Sequence, residues 1–139
     1  MSLFILDTDH LTLLRQAQPA VVTRAVVIPR DQLATTVITF EEQVSGWYTA
    51  VRKARDATKL ARAYAGLLEV ARTAQVIRIL PFSPKAIDLY LDLKKQHPRL
   101  GKMDLAIAAI ALHNNATLVT RNRQDFEPIA GLTHEDWSA

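Results

Sequence analysis

Short runs rich in Val, Ile, Leu and Thr recur along the chain with longer, helically spaced segments between them, and no other feature narrows the fold so far. The runs are FIL (4–6), ATTVIT (34–39), VIRIL (76–80) and TLVT (117–120), each with the length and composition of a strand. Between the second and third, Leu60, Tyr64, Leu67, Leu68 and Ala71 fall on one face of a helix predicted over 56–74. Ser83-Pro84 reads as an N-cap followed by proline at the first helical position, opening a helix that runs to about Gln96. His97-Pro98 closes it, because a residue before proline avoids the helical region. The segment MDLAIAAIAL (103–112) is apolar on nearly every side, which predicts a helix buried on several faces.

Strands alternating with helices in this way predict an α/β fold, three-layered and Rossmann-like, with a mostly parallel central sheet. Right-handed crossovers then leave all strand C-termini on one edge, and ligands of such folds bind outside that edge. With 139 residues and no repeat or glycine-serine linker, a single domain over 1–139 is expected. The composition, 49% hydrophobic and 22% charged, is that of a chain able to bury a core. The absence of cysteine rules out disulfides, thiolate metal sites and cysteine nucleophiles. No apolar run is long enough to span a membrane and the N-terminus lacks a signal peptide's basic start, so a cytoplasmic location is expected. A net charge of +3 leans slightly towards polyanionic partners.

The acidic residues carry the functional question. Asp7 follows FIL at the end of the first strand, where a turn or cap carboxylate and a metal ligand are both open readings. Glu41 and Glu42 follow ATTVITF at the predicted start of a helix, where the macrodipole favours acids, yet this too is the carboxyl edge of a strand. Asp104 heads the buried helix; it is either a cap or a charge set against apolar surface, which needs a cation or donors to compensate it. Behind the last strand, TLVTRNRQDF (117–126) supplies Thr120, Asn122 and Asp125, oxygen donors suited to a hard divalent ion or its waters, or else an Asx-turn and a helix cap. Acids from separate strand ends converging on one edge repel one another, and a bound Mg²⁺ or Mn²⁺ resolves that repulsion.

These segments, taken in order, resemble the PIN-domain nucleases and especially the VapC-type ribonuclease toxins of type II toxin–antitoxin pairs. The matching residues are LDT (6–8), TFEE (39–42) with Gly46, DLAIAA (104–109), LVTRNRQDF (118–126), and the late Gly131-Leu132 and Trp137. The resemblance implies that Asp7, Glu42 and Asp104 are the catalytic, metal-binding acids, with Glu42 preferred to Glu41 by register. Thr120 matches a hydroxyl position near the metal. Asn122 departs from the pattern, since some relatives carry a fourth acid there; an amide can still hold a metal-bound water, and Asp125 lies close enough in sequence to substitute in part. One Mg²⁺ is implied, with any second site weakened by the missing charge. The implied reaction is endonucleolytic RNA cleavage by a metal-activated water. The implied partners are RNA, an inhibitory antitoxin protein and a second copy of the chain, the dimer surface being a helical hairpin over about 44–75.

Other residues are read beside that frame. Asp9 either adds charge to the site or caps the next segment, and the cap is expected. His10, His97, His113 and His134 show no helical metal-ligand spacing and read as ordinary core or surface histidines. Arg52, Lys53, Arg55, Lys59 and Arg62 read as a solvated face, whereas Lys102, Arg121 and Arg123, with Lys94, Lys95 and Arg99, are placed to hold an RNA backbone near the acids. Trp47 and Tyr48 suit core or subunit packing better than base stacking. Two alternatives stand. One is a degenerate, non-catalytic PIN domain that binds RNA or a protein, kept open by Asn122. The other is a haloacid-dehalogenase-like phosphatase, suggested by the D-x-D of LDTDHL but opposed by His10 and Leu11 where that family has glycine and threonine, and by the lack of its later G-D-x-x-x-D segment.

Overall fold

The computed structural model describes residues 2–139. Its elements are β1 (Phe4–Leu6), α1 (Thr8–Arg15), α2 (Pro19–Ala25), a 3₁₀ turn (Arg30–Gln32), β2 (Leu33–Thr36), α3 (Val37–Lys53), α4 (Ala57–Val76), β3 (Arg78–Leu80), α5 (Pro84–Gln96), α6 (Lys102–His113), β4 (Thr117–Val119), α7 (Arg123–Phe126) and β5 (Thr133–Glu135). The five strands pair in the order β3-β2-β1-β4-β5 and every pairing is parallel. The first three strands build outward from β1 on one side, and β4 and β5 continue on the other. The strand order therefore reverses between β1 and β4, the kind of switch point at which open α/β sheets bind ligands.

Alternate strand residues feed two separate cores, as the two-residue period of a strand requires. Ile5 and Leu118 face a core built with α5 and α6, while their neighbours Leu6 and Val119 face a second core with Leu11, Val21, Ala25 and Trp137. The result is a helix–sheet–helix sandwich. Every residue of α6 from Leu105 to Ala111 is buried, and full burial of Leu105, Ile107 or Ile110 contributes roughly 1.5–3 kcal/mol each. That apolar packing anchors the helix whose first turn carries Asp104.

Several elements end where local chemistry, rather than hydropathy, sets the boundary. β2 stops at Thr36, not at 39, because the Thr36 hydroxyl accepts the Thr39 N–H at 3.1 Å and starts α3 there. Glu41 and Glu42 consequently lie in the second turn of α3 and not at its start, so the helix N-terminus does not account for them. Asp56 caps α4 through the Lys59 N–H at 2.8 Å, and the helix runs on through Val76, leaving only Arg78–Leu80 for β3. The α5 boundaries fall at Pro84 and Gln96, with Ser83 accepting the Ala86 N–H.

The apolar stripe of α4 has the helical period but turns largely outward, with Leu67 half-buried at its edge. Its buried residues are Ala63, Gly66 and Val70, whereas Leu60, Tyr64 and Leu68 are 40%, 55% and 50% exposed. Small residues let α4 approach α3 closely: the Trp47 ring lies where a Cβ on Gly66 would stand. The larger side chains are left on the outer face of the hairpin. Nor does the sequence announce β5, whose Thr133–Glu135 pairs with β4 as a short edge strand of mixed polarity.

Candidate active site

The main chain delivers the first acid. The Asp7 N–H donates to the Val119 carbonyl at 3.0 Å, extending the β1–β4 ladder one residue past β1. Asp7 then leaves the sheet as the N-cap of α1, its Oδ1 accepting the His10 N–H at 2.8 Å. Capping duty therefore belongs to Asp7 and not to Asp9, which sits inside the first turn with its carboxylate half exposed and 3.5 Å from the Arg121 guanidinium. The cap expected of Asp9 fails because helix entry is set one strand-end earlier, by a carboxylate already held in extended geometry.

The second acid comes across from α3. The Thr8 hydroxyl lies 2.8 Å from Glu42 Oε1 and 3.3 Å from Thr39 Oγ1. A hydroxyl has one proton, and the shorter contact to the charged acceptor takes it. Glu42 is thus oriented by the residue next to Asp7, while Glu41 is exposed.

The third acid, Asp104, lies in the first turn of α6, whose N-cap is Gly101, so its carboxylate does not cap the helix. Burial raises its pKa above the ordinary carboxylate range, and the negative charges of Glu42, Asp125, Asp7 and Asp9 raise it further. These acids come from α1 and its cap, α3, α6 and α7, and they meet electrostatically at the β1–β4 switch. Among the described residues no three His, Asp or Glu side chains stand close enough to form a closed metal cage. The arrangement is an open, electronegative rim of hard oxygen donors. That chemistry fits a Mg²⁺-like ion, which keeps several waters and takes only one or two carboxylates directly.

Thr120 is fully buried at the end of β4; its N–H donates to the Glu135 carbonyl at 2.8 Å and its hydroxyl accepts the Asn122 N–H at 3.0 Å. This turn carries Asn122 to the start of α7, where its side chain makes no capping bond. Asp125 follows in α7, exposed but within electrostatic range of Asp104. Of the cationic residues, Arg121 faces Asp9 on the rim, Lys102 is exposed two positions before Asp104, and Arg123 turns towards His134 Nδ1 at 3.4 Å. Sequence reasoning missed Thr8 as the partner of Glu42 and His10 as a partner of Asp7. The signal for His10 was its spacing: three residues after an N-cap is the position whose N–H the cap accepts.

The sequence profile of the PIN domain family matches residues 5–132. The chain belongs to the PIN-domain family. Ribonuclease VapC1 of Haemophilus influenzae strain R2866 is 29% identical over 143 aligned residues, covering 98% of both chains. Among solved structures, the fold of this PIN-domain chain is similar to one in VapBC-1 from nontypeable Haemophilus influenzae, with a TM-score of 0.77 at 24% identity over 99% of each chain. It is equally similar to one in VapBC2 from Rickettsia felis bound to a promoter DNA fragment, with a TM-score of 0.77 at 23% identity over 97% of this chain and 98% of that one. In a PIN fold Asp9 belongs to a helix rather than to a catalytic D-x-D loop, and the phosphatase alternative has no remaining support.

Proposed function

We propose that this PIN-domain chain, read as one domain over 1–139, is a Mg²⁺- or Mn²⁺-dependent endoribonuclease and the toxin of a type II toxin–antitoxin pair. The observation that carries the reading is the loading of Asp104 by four other acids from three other elements, α1 with its cap, α3 and α7, at the switch point of the sheet. Such a concentration of negative charge is unfavourable in isolation and fits a site for a divalent cation. Relatives named ribonuclease VapC and similar folds in VapBC structures support the RNA substrate and the antitoxin partner.

In this reading Asp7, Glu42 and Asp104 hold the ion, one or two of them directly and the rest through its waters, and Thr120, Asn122 and Asp125 order further waters. The Asp7 Oδ2 and the second oxygen of Glu42 accept no hydrogen bond from any described residue, which leaves both available. When bound, the ion lowers the pKa of a coordinated water and polarises the scissile phosphate. A carboxylate oxygen of Asp104 is the proposed acceptor for the proton of the attacking water. Lys102 and Arg121 hold the flanking phosphates, with Arg123 further out. The exposed face of α4, Leu60, Tyr64 and Leu68, is the proposed contact with a second copy.

Purified protein incubated with pooled cellular RNA tests the reading. Cleavage with Mg²⁺ or Mn²⁺ that stops in EDTA, and is absent from Asp104→Asn, is the expected result. The non-catalytic alternative rests on Asn122, whose uncharged side chain makes no structural bond at its helix cap. Retained RNA binding with no cutting under any metal establishes that alternative instead.

A further inference from the structure

His10 is wholly buried, and the proposed reaction does not use it. Its ring lies between two fixed groups. Nδ1 is 3.3 Å from Asp7 Oδ1, and Nε2 is 3.2 Å from the Trp137 main-chain N–H. The second contact fixes the first. A backbone N–H can only donate, so Nε2 carries a lone pair and the proton of the neutral ring resides on Nδ1, directed at Asp7. Asp136 Oδ1 is also near Nε2, but at 3.4 Å it stands farther off than the Trp137 N–H, and it already accepts the Ser138 N–H at 2.8 Å and the Ser138 hydroxyl at 2.6 Å.

Trp137 is itself immobilised. It is 1% exposed, packs at 5.6 Å against Phe4 of β1, and donates its indole N–H to Glu135 at 3.0 Å. The C-terminal segment therefore grips the imidazole, and the imidazole grips the acid at the end of β1. Both donors that reach Asp7 Oδ1, the His10 N–H and the His10 Nδ1–H, come from one residue, while Oδ2 receives none from the described residues.

We propose that His10 is a positioning residue: as the Nδ1–H tautomer it saturates Asp7 Oδ1 and so presents Oδ2 to a divalent cation. The proposal rests on the reading of Asp7 as a metal ligand. An N-cap alone needs only the backbone N–H; a second, ring donor on the same oxygen fixes the rotation of the carboxylate as well as its place. Partners of this kind typically govern metal affinity by 10–100-fold.

Two measurements test it. Long-range nitrogen–proton NMR of the wild-type imidazole near neutral pH reads the tautomer directly, with no variant and no metal. Calorimetric Mn²⁺ titration then compares wild type with His10→Asn and His10→Gln. The asparagine amide places a donor where Nδ1 was and gives up the acceptor for Trp137. Glutamine places an oxygen where Nε2 was and gives up the donor to Asp7. The expected result is an Nδ1–H ring, with Mn²⁺ affinity lowered at least about tenfold in His10→Gln and within about threefold of wild type in His10→Asn. An Nε2–H or charged ring overturns the proposal, as do equal affinities in the two variants, which would make His10 purely structural. Wild type that binds no Mn²⁺ overturns both this proposal and the metal reading of the site. If the affinity contrast is present but RNA is never cut, the nuclease reading fails and the positioning role stands.

Discussion

The Thr8–Glu42 hydrogen bond gives a direct handle on how the rim is organised. Thr8→Val removes the hydroxyl at nearly constant volume and leaves Glu42 Oε1 without its 2.8 Å donor. A hydrogen bond to a charged acceptor contributes about 1.5–3 kcal/mol. Both residues are only partly buried, so water replaces some of the loss and the lower end, about 1.5 kcal/mol, applies. In the folded state the released carboxylate is free to rotate away from the other acids. A loss of that size in transition-state stabilisation corresponds to roughly tenfold in kcat/KM. The assay is cleavage of a short RNA under Mg²⁺, run beside Thr8→Ser, which keeps the hydroxyl and loses only the methyl group. The expected order is wild type and serine within about threefold of one another and valine about tenfold lower, with melting temperatures close together. A fully active Thr8→Val, or a serine variant as impaired as valine, refutes the assignment of Thr8 as the group that orients Glu42.

Further outcomes follow from other parts of the molecule. Because Asp104 has a pKa above its ordinary 3.8, the metal-free native state holds its proton to higher pH than the unfolded chain does. Its contribution to stability therefore falls as pH rises from that ordinary value through the raised one, and urea titrations across this window are expected to show the slope flattened in Asp104→Asn. Gly66→Ala drives a Cβ into the Trp47 ring; overpacking of about 1–3 kcal/mol outweighs the roughly 1 kcal/mol helix-propensity gain, so chemical denaturation should report a net loss. A Tyr64→Glu, Leu68→Glu double variant places charge on the exposed α4 face and is expected to convert the proposed dimer into monomers by sedimentation, with the melting temperature of the monomer little changed.

What was legible in the sequence was what a single period or a local cap encodes. FIL and the α5 limits at Ser83-Pro84 and Gln96 coincide with the structure because hydropathy and capping chemistry agree there. Thr36 shows the opposite case: a β-branched run, ATTVIT, continues unbroken while a hydroxyl cap has already switched the chain to helix. The α4 stripe was found but its direction was not, because burial went to Val70 together with Ala63 and Gly66, whose small size permits close helix approach and gives little hydropathy signal. The three acids implied by the family pattern lie in or beside one electrostatic neighbourhood, and Asp125 and Asp9 join them. Contacts that depend on tertiary closure, Thr8 to Glu42 across 34 positions and His10 to Trp137 across 127, leave no trace in local spacing.

The most direct test of the central claim, that the acidic rim is built for a cation, is a pair of thermal melts of wild type and Asp104→Asn with and without Mn²⁺. Without metal, removing one charge from a crowded cluster should make the variant melt above wild type. With Mn²⁺ at a hundred times its dissociation constant, wild type should gain about 2.7 kcal/mol, a shift of several degrees for a chain of this size, and overtake the variant. Wild type that is the more stable of the two without metal, and unmoved by Mn²⁺, contradicts the account.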